Sequence, residues 1–307
     1  MANTFKQFSD AMAEAAQAVG ASLVRVEGRR RSPATGIVWS ADTIVTANHV
    51  VEQEENIVIG LPNGETAHAK LVGRDPQNDL AVLKVEGSTM HPATWGNDSA
   101  LMVGSLALAV ARPNHSLQAS LGLISALVAG RKSESGKKRG RRGMGQMFAD
   151  GFIRTDLTMY PGFSGGALIT GDQAIYGMVT SGYRGDIAIA IPVTTIKHTV
   201  TTLLAHGKMK QGFLGVGVQP VRLQGSVAEK VGQEVALLVM SIEKDSPAER
   251  AAFLVGDILT ALDGETLESV DDLLLTLQGE RVGKEVHANL VRGGEAIAVP
   301  VTIGERG

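Results

Sequence analysis

The sequence contains no cysteine. Without a thiol, the chain cannot form a disulfide bond, a thiolate zinc site or a cysteine nucleophile. The absence also leaves the redox compartment open, because disulfides are the feature that would report an oxidising one. Aromatic residues make up only 4% of the 307 residues, whereas glycine occurs 37 times. Many glycines and few aromatics indicate many tight turns, as in all-β folds.

The chain also lacks a long hydrophobic run and a strong charge of either sign. No stretch reaches the roughly 20 apolar residues of a membrane helix, so we predict no membrane span. The formal net charge of −3 gives no global attraction to nucleic acid or anionic lipid. Residues 1–20 have an amphipathic helical pattern and no export signal. We therefore expect either a cytoplasmic protein or a periplasmic or extracytoplasmic one whose signal has been removed.

From Ala21 onward, short β-like segments alternate with turn signals. Asn63-Gly64 lies between two such segments and is a strong hairpin signal. Many short strands of this kind are typical of β-barrels or a β-sandwich. A helical apolar period over 194–207 follows them. These patterns predict a helical segment over 1–20 and a mainly β domain over 21–207.

A second β-rich region extends over 208–307. Ser246-Pro247-Ala248-Glu249 has the pattern of a capping box with proline at the first helical position. Asp263-Gly264 is a hairpin signal between two strand-like runs. About 100 residues with this mixture are enough for one compact domain. We therefore predict that this region is a separate domain.

One short stretch, Gly162-Phe163-Ser164-Gly165-Gly166, combines a hydroxyl with flexible backbone. Glycines beside a serine allow a sharp turn that exposes a nucleophile and aims backbone N–H groups at a reacting carbonyl. Glycine and serine are also common in ordinary loops. The stretch therefore indicates catalysis only if a base and an orienting acid lie elsewhere in the chain.

His49 and Asp79 are the candidates for that base and acid. His49 follows one predicted strand and Asp79 precedes another. A serine hydroxyl needs a base within hydrogen-bond reach, and the base needs a fixed tautomer. The order histidine, aspartate, serine is that of chymotrypsin-like proteases, in which the first barrel supplies the base and acid and the second supplies the serine.

Several stretches together resemble the HtrA (DegP/DegS-like) family, which consists of trypsin-like serine proteases followed by PDZ domains. The resemblance covers nearly the whole chain after Ala21. It rests on Thr46–Val51, Asp75–Lys84, Thr155–Gly166, Gly212–Val216, Ser246–Ala248 and Gly256–Leu259. It implies a mainly β fold, with a chymotrypsin-like double β-barrel followed by a PDZ domain.

The resemblance implies a role for each residue of the site. His49 would be the general base, Asp79 would orient it, and Ser164 would be the nucleophile. The N–H groups of Gly162, Ser164 and Phe163 would form the oxyanion hole. A catalytic metal is not expected, because no histidine pair has metal-site spacing, and no cofactor is expected.

The resemblance also implies two binding regions. The strand that contains Met178, Val179 and Thr180 would line the substrate pocket. No acid stands at an obvious pocket base, so we expect small or medium apolar side chains to enter it. The segment Phe213-Leu214-Gly215-Val216 would be the carboxylate-binding loop of the PDZ domain, with a groove against a helix that contains Leu273, Leu274 and Leu277.

The implied activity is that of an ATP-independent serine endopeptidase that cleaves unfolded or damaged proteins. Its partners would be such proteins and peptide C-termini, with no nucleic acid. The resemblance further implies a homotrimer or a multiple of it, held by N-terminal aromatic residues such as Phe5 and Phe8. Packing of that helix on its own barrel is an equal possibility.

Four departures from the family pattern leave a second hypothesis open. Phe163 stands where the family usually has asparagine, and Ala167 stands where it has proline. Ala111-Arg112-Pro113 replaces a glycine-containing turn, and Ala251-Ala252-Phe253 replaces Ala-Gly-Leu. Phe163 could alter the turn that aims the oxyanion hole. The alternative is a catalytically silent HtrA-like protein that acts as a peptide-binding chaperone or adaptor.

The serine stretch also fits the nucleophile elbow of α/β-hydrolases. That fold would need an acid such as Asp172 or Asp186, followed by His198 or His206. The strand–helix alternation of that fold is absent around Ser164, so we favour the double barrel.

A run of positive charge interrupts the β pattern at Arg131–Gln146. Its many basic residues and glycines predict a mobile surface loop rather than a nucleic-acid site, because no aromatic side chains are interleaved for base stacking. The resemblance places a regulatory sensor loop here.

Overall fold

A computed structural model describes residues 3–30, 32–129, 151–181, 188–209, 212–277 and 281–305. The chain divides into two compact units, Met1–Met209 and Lys210–Gly307. The basic segment 131–146 lies outside the described residues.

Six strands of the first unit form a closed antiparallel barrel. In space, their order around the barrel is β1-β2-β3-β6-β5-β4. They are β1 (Leu23–Glu27), β2 (Ala34–Ser40), β3 (Thr43–Ala47), β4 (Ile57–Gly60), β5 (Thr66–Asp75) and β6 (Leu80–Val85). Strand β3 is buried along its whole length.

A second closed barrel follows in the same unit. Its strand order is β10-β11-β12-β9-β8-β7. The strands are β7 (Leu106–Ala111), β8 (Gln118–Ala129), β9 (Gly151–Thr155), β10 (Ala167–Ile169), β11 (Ile175–Thr180) and β12 (Ala188–Pro192). The predicted chymotrypsin-like double barrel is thereby confirmed, and the α/β-hydrolase alternative is excluded.

Two helices flank the barrels. α1 (Thr4–Gly20) begins at Asn3, whose side chain caps the first turn, and it buries Ala15 and Val19. α2 (Val193–His206) ends at Gly207, which has φ +72°, as predicted from its C-cap pattern. In the first turn of α1, the side chain of Phe5 is 79% exposed.

The second unit is a β-sheet with short helices. Its main sheet has the order β14-β15-β16-β18-β19, and β17 pairs with β16. The strands are β13 (Gly212–Phe213), β14 (Val216–Arg222), β15 (Val235–Ile242), β16 (Ile258–Leu262), β17 (Glu265–Thr266), β18 (Glu285–Arg292), β19 (Glu295–Thr302) and β20 (Gly304–Glu305). The helices are α3 (Gly225–Val231), α4 (Pro247–Arg250) and α5 (Val270–Thr276). Strand β14 is therefore an edge of this sheet.

Ser246 caps helix α4 as its sequence pattern predicts. Its hydroxyl accepts a hydrogen bond from the Glu249 N–H at 3.2 Å, and Pro247 occupies the first turn. The Glu249 carboxylate accepts from the Asp245 N–H rather than from the N-cap residue itself. The helix therefore begins where the sequence places it.

None of the helices in the described part of the chain is both long enough and apolar enough to cross a membrane.

Candidate active site

The first barrel brings His49 and Asp79 together through the pairing of two strands. β3 pairs with β6 so that Ala47 lies opposite Leu80. His49 follows β3 in a short 3-10 helix, Asn48–Val50, and Asp79 directly precedes β6. Two residues 30 positions apart in the sequence are therefore neighbours in space.

The carboxylate of Asp79 is held by donors from both barrels. The His49 N–H donates to Oδ1 at 3.0 Å, and the His49 ring nitrogen Nδ1 lies 2.8 Å from Oδ2. The Thr180 hydroxyl, at the end of β11, donates to Oδ2 at 2.5 Å. Asp79 itself has φ +51° and is 5% exposed. These contacts fix the orientation of the carboxylate.

This pairing defines the tautomer of His49. An ionised carboxylate can only accept hydrogen bonds, so Nδ1 carries the proton. In a neutral imidazole the other nitrogen, Nε2, then carries a lone pair that can accept a proton. The His49–Asp79 pair is therefore arranged as a general base with its orienting acid.

Ser164 lies on a tight turn in the second barrel. Gly162 and Gly165, on either side of it, have φ +84° and +86°. A Cβ at Gly165 would lie 1.8 Å from the Thr35 carbonyl oxygen. Only glycine fits such a position, because both the backbone conformation and the available space exclude a side chain.

The Ser164 hydroxyl is bonded to Ser181. The two hydroxyl oxygens are 2.9 Å apart, and the Ser181 N–H donates to Ser164 Oγ at 3.2 Å. Among the described residues, no hydrogen bond joins Ser164 to His49. In this structure the candidate nucleophile therefore points to Ser181 rather than to the candidate base.

Two backbone N–H groups of the Ser164 turn are available to a ligand. Neither the Gly162 N–H nor the Ser164 N–H has an acceptor within the described ranges. The Phe163 N–H, predicted from the sequence to be a third donor, instead donates to the Tyr160 carbonyl oxygen at 3.1 Å. The pair at Gly162 and Ser164 is the arrangement that stabilises a developing oxyanion in acyl transfer.

Phe163 is a core residue. Its side chain is fully buried among the apolar residues of the second barrel, and its ring makes an edge-to-face contact with Tyr160 at 5.4 Å. The ring therefore helps to hold the turn that contains Ser164. The sequence identified this position as unusual but could not show where the ring lies.

The residues predicted to line the substrate pocket are buried in β11. Met178, Val179 and Thr180 are each at most 1% exposed. Val179 supports the Ser164 turn, because its carbonyl accepts from the Gly165 N–H at 2.9 Å and its N–H donates to the Gly166 carbonyl at 2.8 Å. Thr180 contacts Asp79, as described above. Residues 182–187, which follow β11 after Ser181, lie outside the described residues.

The predicted carboxylate-binding loop lies beside the edge strand of the second unit. Phe213 ends β13, Leu214 is buried, and Val216 begins β14. Gly215 has φ +76°, and a Cβ there would lie 2.2 Å from Ser246 Cβ. Within the described residues, the N–H groups of Leu214 and Gly215 have no acceptor. They are therefore available to an anion.

Helix α5 packs beside strand β14, which is an edge of the sheet. β14 pairs with β15 on one side and has no strand on the other among the described residues. Leu273 and Leu277 pack in the core of this unit, and Leu274 is 47% exposed. An extended peptide can add to such an edge as a further strand.

No metal centre is formed by the described residues, which contain no group of three or more histidine and acidic side chains that could hold an ion. Of the residues offered for the hydrolase alternative, His198 and His206 lie on α2, and Asp172 accepts a hydrogen bond from the Tyr176 hydroxyl.

Comparison with known families assigns a class to each unit. Residues 34–178 match the family model of the trypsin-like peptidase domain, and residues 212–303 match that of the PDZ domain. The chain thus combines a trypsin-like peptidase domain with one PDZ domain.

The chain is similar in sequence to curated proteins described as DegP-like serine endoproteases. A probable periplasmic serine endoprotease described as DegP-like from Chlamydia trachomatis is 34% identical over 278 residues, which cover 88% of this chain and 53% of the relative. Its counterpart in Ectopseudomonas mendocina is 31% identical over 290 residues, with coverage of 90% and 58%. The chain spans about half the length of these relatives.

The solved structures are similar over nearly their whole length. The HtrA-type protease AlgW with a tripeptide has a TM-score of 0.72 and 26% identity, covering 96% of this chain and 97% of that one. The serine endoprotease from Yersinia pestis has the same TM-score and 25% identity, with coverage of 96% and 98%. The chain is thus similar in sequence to DegP-like serine endoproteases and in structure to HtrA-type proteases.

Proposed function

We propose that this protein is an ATP-independent serine endopeptidase that cleaves unfolded or damaged proteins and binds peptide C-termini through its PDZ domain. The observation that carries the proposal is the His49–Asp79 pair, with Nδ1 and Oδ2 2.8 Å apart, in a double barrel whose Ser164 turn has two N–H groups without an acceptor in the described part of the chain. The match to the trypsin-like peptidase model and the similarity to DegP-like serine endoproteases support the same activity.

In the proposed mechanism, Ser164 Oγ attacks the carbonyl carbon of the scissile peptide. His49 Nε2 takes the hydroxyl proton and later gives it to the leaving amine, while Asp79 stabilises the imidazolium cation. The N–H groups of Gly162 and Ser164 receive the negative oxygen of the tetrahedral intermediate. Water then attacks the carbonyl carbon of the acyl-enzyme, with His49 Nε2 taking the water proton and returning it to Ser164 Oγ as the new peptide C-terminus is released. For the first step, the Ser164 side chain must rotate from Ser181 toward His49.

The PDZ domain would select the end of a chain. A peptide that adds to β14 would place its terminal carboxylate at the Leu214 and Gly215 N–H groups. Relatives named as periplasmic endoproteases support a periplasmic location. A homotrimer would cover the aromatic side chain of Phe5, which is 79% exposed in the single chain.

The second candidate is a catalytically silent chaperone or adaptor that binds peptides only. The hydrogen bonds between Ser164 and Ser181 favour it, since a hydroxyl held there is not aligned with His49. Under this hypothesis the PDZ domain would still bind C-terminal peptides.

Cleavage of unfolded casein by the wild type and by Ser164→Ala tests the proposal, with a fluorophosphonate label as a second readout. We expect the wild type to cleave and to be labelled, and the variant to do neither. Wild-type protein that does neither, even when C-terminal peptides occupy the PDZ domain, would support the binding-only function. Sedimentation of the wild type and of Phe5→Glu tests the trimer.

A further inference from the structure

Thr35 contacts the backbone on both sides of the Ser164 turn, although it belongs to the other barrel. Its N–H donates to the Ser164 carbonyl oxygen at 3.1 Å, and its hydroxyl donates to the Gly162 carbonyl oxygen at 2.9 Å. Thr35 lies in β2 and is completely buried. One residue of the first barrel therefore holds two carbonyl groups of the nucleophile turn.

The direction of the hydroxyl bond is fixed by a third partner. The Arg112 N–H donates to Thr35 Oγ1 at 3.0 Å. A backbone N–H can only donate and a backbone carbonyl can only accept, and the hydroxyl has a single proton. The hydroxyl proton of Thr35 must therefore point to the Gly162 carbonyl oxygen. The relay is this pair of hydrogen bonds, from the Arg112 N–H to Thr35 Oγ1 and from the Thr35 hydroxyl to Gly162.

The relay acts on Gly162, a residue of the turn whose backbone dihedral angles are not limited by a side chain. Gly162 must nevertheless keep φ +84°. A Cβ there would lie 2.4 Å from Pro113 Cβ, so a more rigid residue is excluded. The restraint must come from neighbouring groups. The Gly162 carbonyl shares a planar peptide group with the Phe163 N–H, which donates to the Tyr160 carbonyl oxygen, so the Thr35 hydroxyl restrains the peptide group between the Gly162 and Ser164 N–H donors.

We propose that the Thr35 hydroxyl is a positioning residue for the oxyanion hole. By holding the Gly162 carbonyl, it restrains the peptide group between the Gly162 and Ser164 N–H donors and so sets the turn that carries both of them. Thr35 does not touch the substrate, and its role rests on the proposed peptidase function.

The variants Thr35→Val and Thr35→Ser separate the hydroxyl from the shape of the side chain. Valine has nearly the same volume but leaves the Arg112 N–H and the Gly162 carbonyl without a partner, whereas serine keeps the hydroxyl. We expect kcat for a short peptide to fall about tenfold or more in Thr35→Val, with KM changed by less than about twofold, because the effect arises only in the transition state. Thr35→Ser should recover most of the kcat.

A peptide boronate gives a readout that does not depend on turnover. It forms a tetrahedral adduct with Ser164 whose oxygen occupies the oxyanion hole, so its affinity should fall in parallel with kcat in Thr35→Val. The affinity of a product peptide should stay the same.

Thr46→Val is the matched control. The Thr46 hydroxyl is also buried and donates to the Thr35 carbonyl oxygen at 2.7 Å, but it has no hydrogen bond to Gly162. We expect its kcat to stay within about twofold of the wild type, because the Thr35 hydroxyl keeps its hydrogen bonds to the Arg112 N–H and the Gly162 carbonyl. An equal loss in both variants would show general loosening of the barrel contact and would overturn the proposal. Unchanged kcat in Thr35→Val, or a rise in KM alone, would also overturn it.

A crystal structure of Thr35→Val separates this inference from the proposed function. We expect the Gly162 carbonyl to be rotated, and an unchanged turn would refute the relay whether or not the wild type cleaves. Absence of cleavage by the wild type would instead count against the proposed function. Thr35→Ala offers a second variant without a hydroxyl if valine prevents folding.

Discussion

The hydroxyl of Ser164 lies 2.9 Å from the hydroxyl of Ser181 and also accepts the Ser181 N–H. The Ser164 hydroxyl must break both hydrogen bonds to Ser181 before it can reach His49. The contact therefore sets a barrier between the observed side-chain position and the one that catalysis requires.

Replacement of Ser181 by alanine should speed the first chemical step. Alanine removes the hydroxyl partner, and a typical hydrogen bond contributes about 1 kcal/mol, which corresponds to about a fivefold change in rate. We expect fluorophosphonate labelling of Ser164 to become about fivefold faster. Ser181→Thr keeps a hydroxyl and should label at nearly the wild-type rate. Equal labelling rates for alanine and wild type would show that the contact does not restrain Ser164.

Asp79→Asn should abolish most of the activity while it preserves the fold. The amide can donate to Nδ1 and so favours the wrong tautomer of His49, an effect worth about 10⁴-fold in kcat in a related triad. Steady-state cleavage of a short peptide measures this loss. Asp42→Asn is the control, because Asp42 pairs with Lys84 at the barrel surface. A loss of less than about tenfold in Asp79→Asn would contradict the assigned role.

Phe163→Ala should destabilise the protease unit strongly. Removal of a fully buried phenylalanine costs about 3–5 kcal/mol, and urea unfolding should show a loss of that size. Tyr160→Ala removes the same ring contact from a residue that is 50% exposed. It should cost about 1 kcal/mol. Similar losses in the two variants would mean that Phe163 contributes little beyond its contact with Tyr160.

Gly215→Ala should weaken peptide binding by the PDZ domain. The side chain would meet Ser246 and would be strained at φ +76°, so we expect at least about a tenfold loss of affinity for a C-terminal peptide. Gly264→Ala is matched in strain, since Gly264 has φ +80° but open space around its Cβ position. It lies in the Asp263-Gly264 turn and should leave the affinity nearly unchanged. Fluorescence anisotropy with a labelled peptide measures both.

The stability of the PDZ unit should depend on the Asp257–Arg292 pair. Two guanidinium nitrogens of Arg292 donate to the two oxygens of Asp257, each at 2.7 Å. Burial alone would raise the pKa of Asp257, but the hydrogen bonds from Arg292 and the Leu254 N–H outweigh it and hold the pKa below the ordinary 3.8. A depressed pKa adds stability above the unfolded-state value, and this stability is lost as the pH falls through the folded-state pKa.

We therefore expect Arg292→Met to lower the urea midpoint of the full chain at about pH 7, and the difference from the wild type to shrink below about pH 4. Lys230→Met breaks a pair with Glu295 in which both side chains are at least half exposed. It should change the midpoint little at either pH. If the urea midpoint of Arg292→Met differs from that of the wild type by the same amount at every pH, the depressed pKa of Asp257 does not contribute to stability.

The sequence by itself was sufficient to predict the helix caps and, through the resemblance to HtrA proteases, the mainly β double barrel. Strand length, turn residues and caps are local properties, so α4 begins at Pro247 and α2 ends before Gly207 as their patterns predict. The order of His49, Asp79 and Ser164 is likewise visible without coordinates. Their roles remain predictions until the variants are measured.

Only the tertiary structure decided which side chains meet around the site. The Thr35 hydroxyl reaches Gly162 across 127 residues, and the Thr180 hydroxyl reaches Asp79 across 101. From the sequence, Thr180 is predicted only as a pocket residue and Thr35 is not identified, because a hydrogen bond between two barrels depends on how strands close and pack and leaves no local pattern. For the same reason the sequence could place Ser164 on its turn but could not show that its hydroxyl points to Ser181.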